Sequence, residues 1–135
     1  MARKVGGEAA IRARMARAPG LKSEDAHRLA GLIEAESHLA VAPNNRDGWR
    51  CACAVALRDD DASILRKMQN GLGMGRLRPI RARNGSRPQV TWIVDSKAEC
   101  AVLVDLLDRH PLRGRKLEQY RVWRCLLYTS DAADE

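Results

Sequence analysis

Leu29, Ala30 and Ile33 recur at helical spacing behind Ser23, a helix-capping residue type, with Glu24 and Asp25 placing negative charge on the first turn. The pattern predicts a helix ending at Glu36. The period then changes to two: Leu39 and Val41 alternate with smaller or polar neighbours up to Pro43-Asn44-Asn45, and Trp49, Cys51, Cys53, Val55 and Leu57 alternate over a longer run, which predicts a hairpin. Helical spacing returns at Ile64, Leu65, Met68 and Leu72. The acids Asp59, Asp60 and Asp61 just before this helix suit a cap and first-turn charge better than a metal cluster. Gly71, Gly73 and Gly75 close the helix instead of opening one, the wrong order for a phosphate-binding loop, and read as stop and turn residues.

A second hairpin follows, with Leu77 and Ile80 in an arginine-rich strand, a turn at Asn84-Gly85, and Val90, Trp92 and Val94 alternating with Gln89, Thr91 and Ile93. Ser96 and Glu99 have the spacing of a capping box for a third helix through Leu103, Leu106 and Leu107 to about His110, stopped by Pro111, and a fourth begins near Gly114. The order αββαββα(α) defines an α+β domain whose four-stranded antiparallel sheet carries helices on one face and leaves the other open.

Composition narrows the partner. Lysine and arginine number 24 against 17 acids, a net charge of +7 that suits a polyanion. Aromatic residues make up 4% with no phenylalanine, too few for a platform of stacked single-stranded bases, so duplex contact through arginine is favoured. Cys51 and Cys53 stand two apart on one strand face and read as core thiols, while Cys100, Cys125, His27, His38 and His110 are too scattered for structural zinc. No apolar run reaches membrane-spanning length and no signal-peptide core is present, which places the protein in the cytoplasm or an organelle, with no membrane partner. Residues 1–22, with Arg3, Lys4, Arg12, Arg14 and Arg17, form a basic arm that is either a solvated tail or a segment lying on phosphate. Residues 125–135 match one reading frame of a transposase-type sequencing adapter and are expected to be a non-native tail, which leaves 23–124 as the domain.

Gly31 lies inside the first helix at a cost of about 1 kcal/mol relative to alanine, and it shares a stripe with Ala35, so another backbone can approach there. Glu34 and Glu36 stand at the helix C-terminus, where the dipole disfavours anions; a hard divalent cation such as Mg²⁺ would hold them. The stretch Leu29 to Glu36, LAGLIEAE, resembles the signature helix of the LAGLIDADG homing endonucleases, single-motif type. It departs from the signature in two ways: Ser37 replaces the usual glycine and both acids are glutamate. The resemblance spans roughly Leu21 to Arg124 and includes Leu72-Gly73-Met74-Gly75, the Trp92 strand and Pro111-Leu112-Arg113-Gly114-Arg115-Lys116.

The resemblance implies a saddle-shaped sheet and a homodimer that cuts both strands of a long, pseudo-palindromic duplex by metal-dependent hydrolysis, in a family associated with introns and inteins. It implies Glu36 as the main metal ligand, the carbonyl of Ala35 as a second, Glu34 as a third that instead orients or caps the helix, and Lys116, or Arg115 one position earlier, beside the scissile phosphate. One signature helix supplies one acid whereas cutting two strands requires two, so Gly31, Ala35 and His27 are expected at a two-fold interface. Base reading falls to outward positions of the arginine-rich strands, Arg50, Arg76, Arg78, Arg81, Arg87, Gln89 and Thr91, with Arg83 and Asn84 at a hairpin tip. Two other readings keep the charge: a non-cleaving regulator or intron maturase on the same scaffold, and a structural RNA-binding protein of ribosomal type.

Overall fold

The computed structural model describes residues 21–43 and 48–133; the basic arm up to Gly20 and the turn expected at Asn44 and Asn45 lie outside the described residues. The elements are α1 (Ser23–Glu36), β1 (Ser37–Pro43), β2 (Trp49–Arg58), a 3₁₀ turn (Asp59–Asp61), α2 (Ala62–Leu72), β3 (Arg76–Ile80), β4 (Gln89–Val94), α3 (Lys97–Arg109) and α4 (Gly114–Ala133). All pairings are antiparallel in the order β1-β2-β4-β3, so the α+β class and the αββαββαα sequence of elements are those the periodicities predict.

Alternation decides the two faces. Cys51, Cys53 and Val55 of β2 and Trp92 and Val94 of β4 point inward and are buried under Ile33 of α1, Leu65 of α2, Leu103 and Leu107 of α3 and Trp123 of α4. Full burial contributes about 1.5–3 kcal/mol for each large aliphatic side chain, so this layer sets the register: a one-residue slip would turn every inward residue outward. Cys51, Cys53 and Cys100 are core residues, as the two-residue spacing of the first pair predicts. Burial raises all three thiols, Cys53 to about 12, so they stay protonated.

Local chemistry differs from expectation at two helix starts and adds a contact at a third. Lys22, in extended backbone, occupies the N-cap of α1 without a side-chain bond, and Ser23 is already helical. The three aspartates precede α2 as a 3₁₀ turn whose last member, Asp61, has φ −103° and ψ 11°, a geometry in which its carboxylate makes no cap bond. At α3, Ser96 Oγ accepts the Glu99 N–H at 3.1 Å as a capping box requires, while the Glu99 carboxylate accepts the Gly75 N–H at 3.2 Å and ties the helix start to the β3 approach. α4 runs without a break past Arg124, and Leu127 is buried against the core.

The Gly75 contact has a steric partner. The indole Nε1 of Trp92 donates to the Met74 carbonyl at 3.2 Å, and a Cβ added at Gly75, where φ is +90°, would lie 2.1 Å from that nitrogen. Gly73, at φ +65°, has nothing within 4 Å. Gly75→Ala is therefore expected to cost more than about 2 kcal/mol and Gly73→Ala only about 1 kcal/mol, read as shifts in urea midpoint at unchanged slope. Equal shifts for the two variants would contradict this packing.

Candidate metal and nucleic-acid site

α1 passes straight into β1: Ser37 is extended, at φ −80° and ψ 154°, and its N–H returns to the Ile33 carbonyl. Glu36 is thus the last helical residue and sits at the edge of the sheet. The last turn of α1 holds no basic residue, and Glu36 is exposed with no hydrogen bond or ion pair among the described residues. Both sides of it are anchored. Glu34 accepts the Arg113 backbone N–H at 2.7 Å and faces the Arg113 guanidinium at 3.4 Å, and Lys116 Nζ donates to the Ser37 carbonyl at 2.6 Å.

The two ties join positions 79 residues apart and are offset by three residues at both ends, so the start of α4 grips the end of α1 on either side of Glu36. Buried Leu112 anchors the segment carrying Arg113. The Arg113 guanidinium and N–H hold the Glu34 carboxyl below its ordinary value of 4.5. Arg115 is exposed.

His27, Gly31 and Ala35 form an exposed stripe along α1. A Cβ at Gly31 would meet nothing within 4 Å, so packing inside the subunit does not require the glycine. The His27 ring stands edge-on to His110 with centroids 4.5 Å apart.

On the open face of the sheet, the register groups Arg76 and Arg78 from β3 with Gln89 and Thr91 from β4, and places Arg50 of β2 on the same face toward the β1–β2 hairpin. Arg76 pairs with Asp95 at 2.9 Å. Arg81, Arg83, Asn84 and Arg87 are exposed in the β3–β4 connection, away from the strand rows. There Asn84 (φ 47°) and Gly85 (φ 81°) make the tight turn that the dipeptide predicts. Two positions were not singled out from the sequence. Arg58 stands beside Gln89 on the open face, and its even spacing from Arg50 on the same strand was the available signal. Arg113 carried no signal as a partner of Glu34 beyond its place in a basic stretch.

Among the described residues no three His, Cys, Asp or Glu side chains are grouped to hold a metal ion. The exposed, uncommitted Glu36 carboxylate is nevertheless the hard oxygen donor that a cation of the Mg²⁺ type takes, with room left for water and phosphate oxygens.

A helix-backed antiparallel sheet with a basic open face and an acidic helix end at its edge is a scaffold suited to a polyanionic partner. The sequence profile of the LAGLIDADG endonuclease family matches residues 29–127, and the chain belongs to that family. Among solved structures, the LAGLIDADG meganuclease I-CpaMI bound to uncleaved DNA superposes with a TM-score of 0.68 at 21% identity, over 81% of this chain and 37% of that one. The homing endonuclease I-LtrWI bound to target DNA gives 0.68 at 19% identity, over 84% and 39%. The homing endonuclease I-TnaI gives 0.68 at 15%, over 79% and 74%. The chain thus spans well under half the length of the first two. No curated protein sequence matches it.

Because the Glu34 carboxyl titrates below its ordinary value in the folded protein, its pairing with Arg113 stabilises the fold above pH 4.5 and loses that contribution as pH falls below it. Glu34→Gln should lower Tm at pH 7 and leave it closer to the parent at pH 3. A Tm difference that stays constant across that range would remove the ion pair as its cause.

Proposed function

We propose that the protein is a site-specific DNA endonuclease of homing type, which cuts both strands of a long, pseudo-palindromic duplex by metal-dependent phosphodiester hydrolysis as a homodimer. The observation that carries this reading is Glu36: an exposed carboxylate without a partner among the described residues, at the unfavourable end of a helix dipole, held on both sides by α4. Such an arrangement costs stability and serves a ligand. Glu36 and the Ala35 carbonyl would hold a hard divalent cation, which when bound would supply charge neutralisation and an acidified water at the scissile phosphate. Glu34, engaged by Arg113, acts as the anchor that fixes Glu36, and the Lys116 ammonium places positive charge where charge develops on the phosphate.

One subunit offers one such acid. The exposed stripe of His27, Gly31 and Ala35 supports a two-fold crossing of α1 helices that brings a second Glu36 to the other strand. The share of I-CpaMI and I-LtrWI that this chain covers supports the same reading, because one copy accounts for less than half of either. Two copies of the open face then follow two half-sites of duplex DNA.

Selection of cut sites from a random duplex library with Mg²⁺ tests the whole reading. A two-fold consensus with cut ends is expected; enrichment of bound but uncut duplex would point instead to a non-cleaving regulator. Glu36→Gln should abolish cutting and leave duplex affinity in chelator equal to or above the parent's, since a negative charge near phosphate is removed. Cutting at the parental rate by that variant would end the assignment.

Gly31→Leu separates assembly from folding. Within the subunit the new side chain meets open space and gains helix propensity, so the isolated fold should keep or raise its Tm. Across a helix crossing it overpacks by more than about 2 kcal/mol, so sedimentation should show monomer. A variant that remains a tight dimer would place the interface elsewhere.

A further inference from the structure

Strand pairing divides the open face into cross-strand rows, each about 7 Å from the next because two residues of antiparallel strand rise about 6.8 Å. His38, Ala54, Ile93 and Arg76 share the row that follows the end of α1. To one side lie Ala56, Thr91 and Arg78, then Arg58, Gln89 and Ile80. To the other side only the β1–β2 hairpin continues, with Ala40 opposite Ala52 and then Ala42 opposite Arg50. The sheet therefore has two arms of different chemistry. One carries arginine, glutamine and threonine, and the other presents alanine methyls until Arg50.

Thr91 marks the difference most sharply. It is only 8% exposed although it belongs to the open face, and its Oγ1 has no hydrogen-bond partner. Burying a hydroxyl without a partner is unfavourable, so the position favours a ligand that supplies one. Its neighbour across β2 is Ala56, with a small side chain, and its neighbour across β3 is Arg78. Base edges in a major groove offer donors and acceptors to such a set, whereas alanine reaches only a thymine methyl.

We propose that sequence discrimination within each half-site is one-sided: Thr91, with Arg78 and Gln89, reads the base pairs beneath the β3–β4 arm, while those beneath Ala40 and Ala52 go unread. The proposal rests on the duplex-binding reading above. The unread stretch is held through phosphate contact and DNA shape, which tolerate base changes.

The experiment is a binding selection on half-site libraries with chelator present, comparing the parent with Thr91→Val and Ala52→Arg, each checked for a Tm no lower than the parent's. Thr91→Val removes a buried hydroxyl that makes no bond in the subunit, so it should fold with a Tm at or above the parent's and lose about tenfold of preference at one or two base pairs. Ala52→Arg should create a new preference of about tenfold, for guanine, at a base pair to which the parent is indifferent. A purely structural Thr91 would lower Tm when replaced and leave the base profile untouched, and that result would overturn its assignment. A parent already selective at the base pair that Ala52→Arg affects would overturn the one-sided readout, as would an Ala52→Arg variant that gains no preference anywhere. Failure of the parent to select any duplex would be a different result, because it would remove DNA binding itself.

Discussion

The link from Glu34 to Arg113 is the contact on which the rest of the site depends. It is a hydrogen bond from backbone reinforced by charge, between the last turn of α1 and the residue that precedes α4. The Arg113 side chain lies largely in solvent while Glu34 is mostly covered, so the Coulomb attraction is partly screened and the worth of the pair is chiefly geometric. Together with the bond from Lys116 to Ser37 it removes the freedom that a helix end would otherwise have to fray. The dipeptide Ala35-Glu36 between the two ties holds the acid. A carboxylate left without local compensation can be maintained there because the surrounding backbone is fixed by groups other than the carboxylate itself.

That arrangement also links the helix layer to the sheet. Because β1 begins at the residue after Glu36, whatever sets the register of β1 against β2 also sets where the acid stands relative to the open face. The register in turn is set by the buried side of the sheet, where Cys53, Val55 and Trp92 leave no alternative alignment that keeps them dry. A single chain of constraint runs from core packing to the position of one exposed carboxylate.

Period-two alternation made the hairpins legible because each strand is buried on one side only; the same parity put Arg50, Arg76, Arg78, Gln89 and Thr91 on the outward face. The motif helix was legible because a glycine and two acids sit where helix chemistry alone would not put them. What stayed hidden depended on residues distant in sequence. Nothing near Glu34 announces Arg113, since the pairing exists only after the intervening sheet and helices have formed. The use of Glu99 on Gly75, instead of closing the capping box alone, likewise follows from β3 arriving beside α3. The three aspartates misled for a local reason: charge and spacing suit a cap, but with the backbone of Asp61 at φ −103° and ψ 11° its carboxylate makes no bond to the helix N–H groups.

The buried thiols have a practical consequence. Cys51, Cys53 and Cys100 lie in the core with their ionisation suppressed, and Cys125 is the one cysteine that is exposed. Nucleophilic attack needs thiolate and access, so a maleimide or haloacetamide added to the folded protein meets a single reactive sulfur, on the outer part of α4. A dye or spin label placed there requires no cysteine to be removed from the interior. It would report on the long helix whose first turn grips the acidic end of α1.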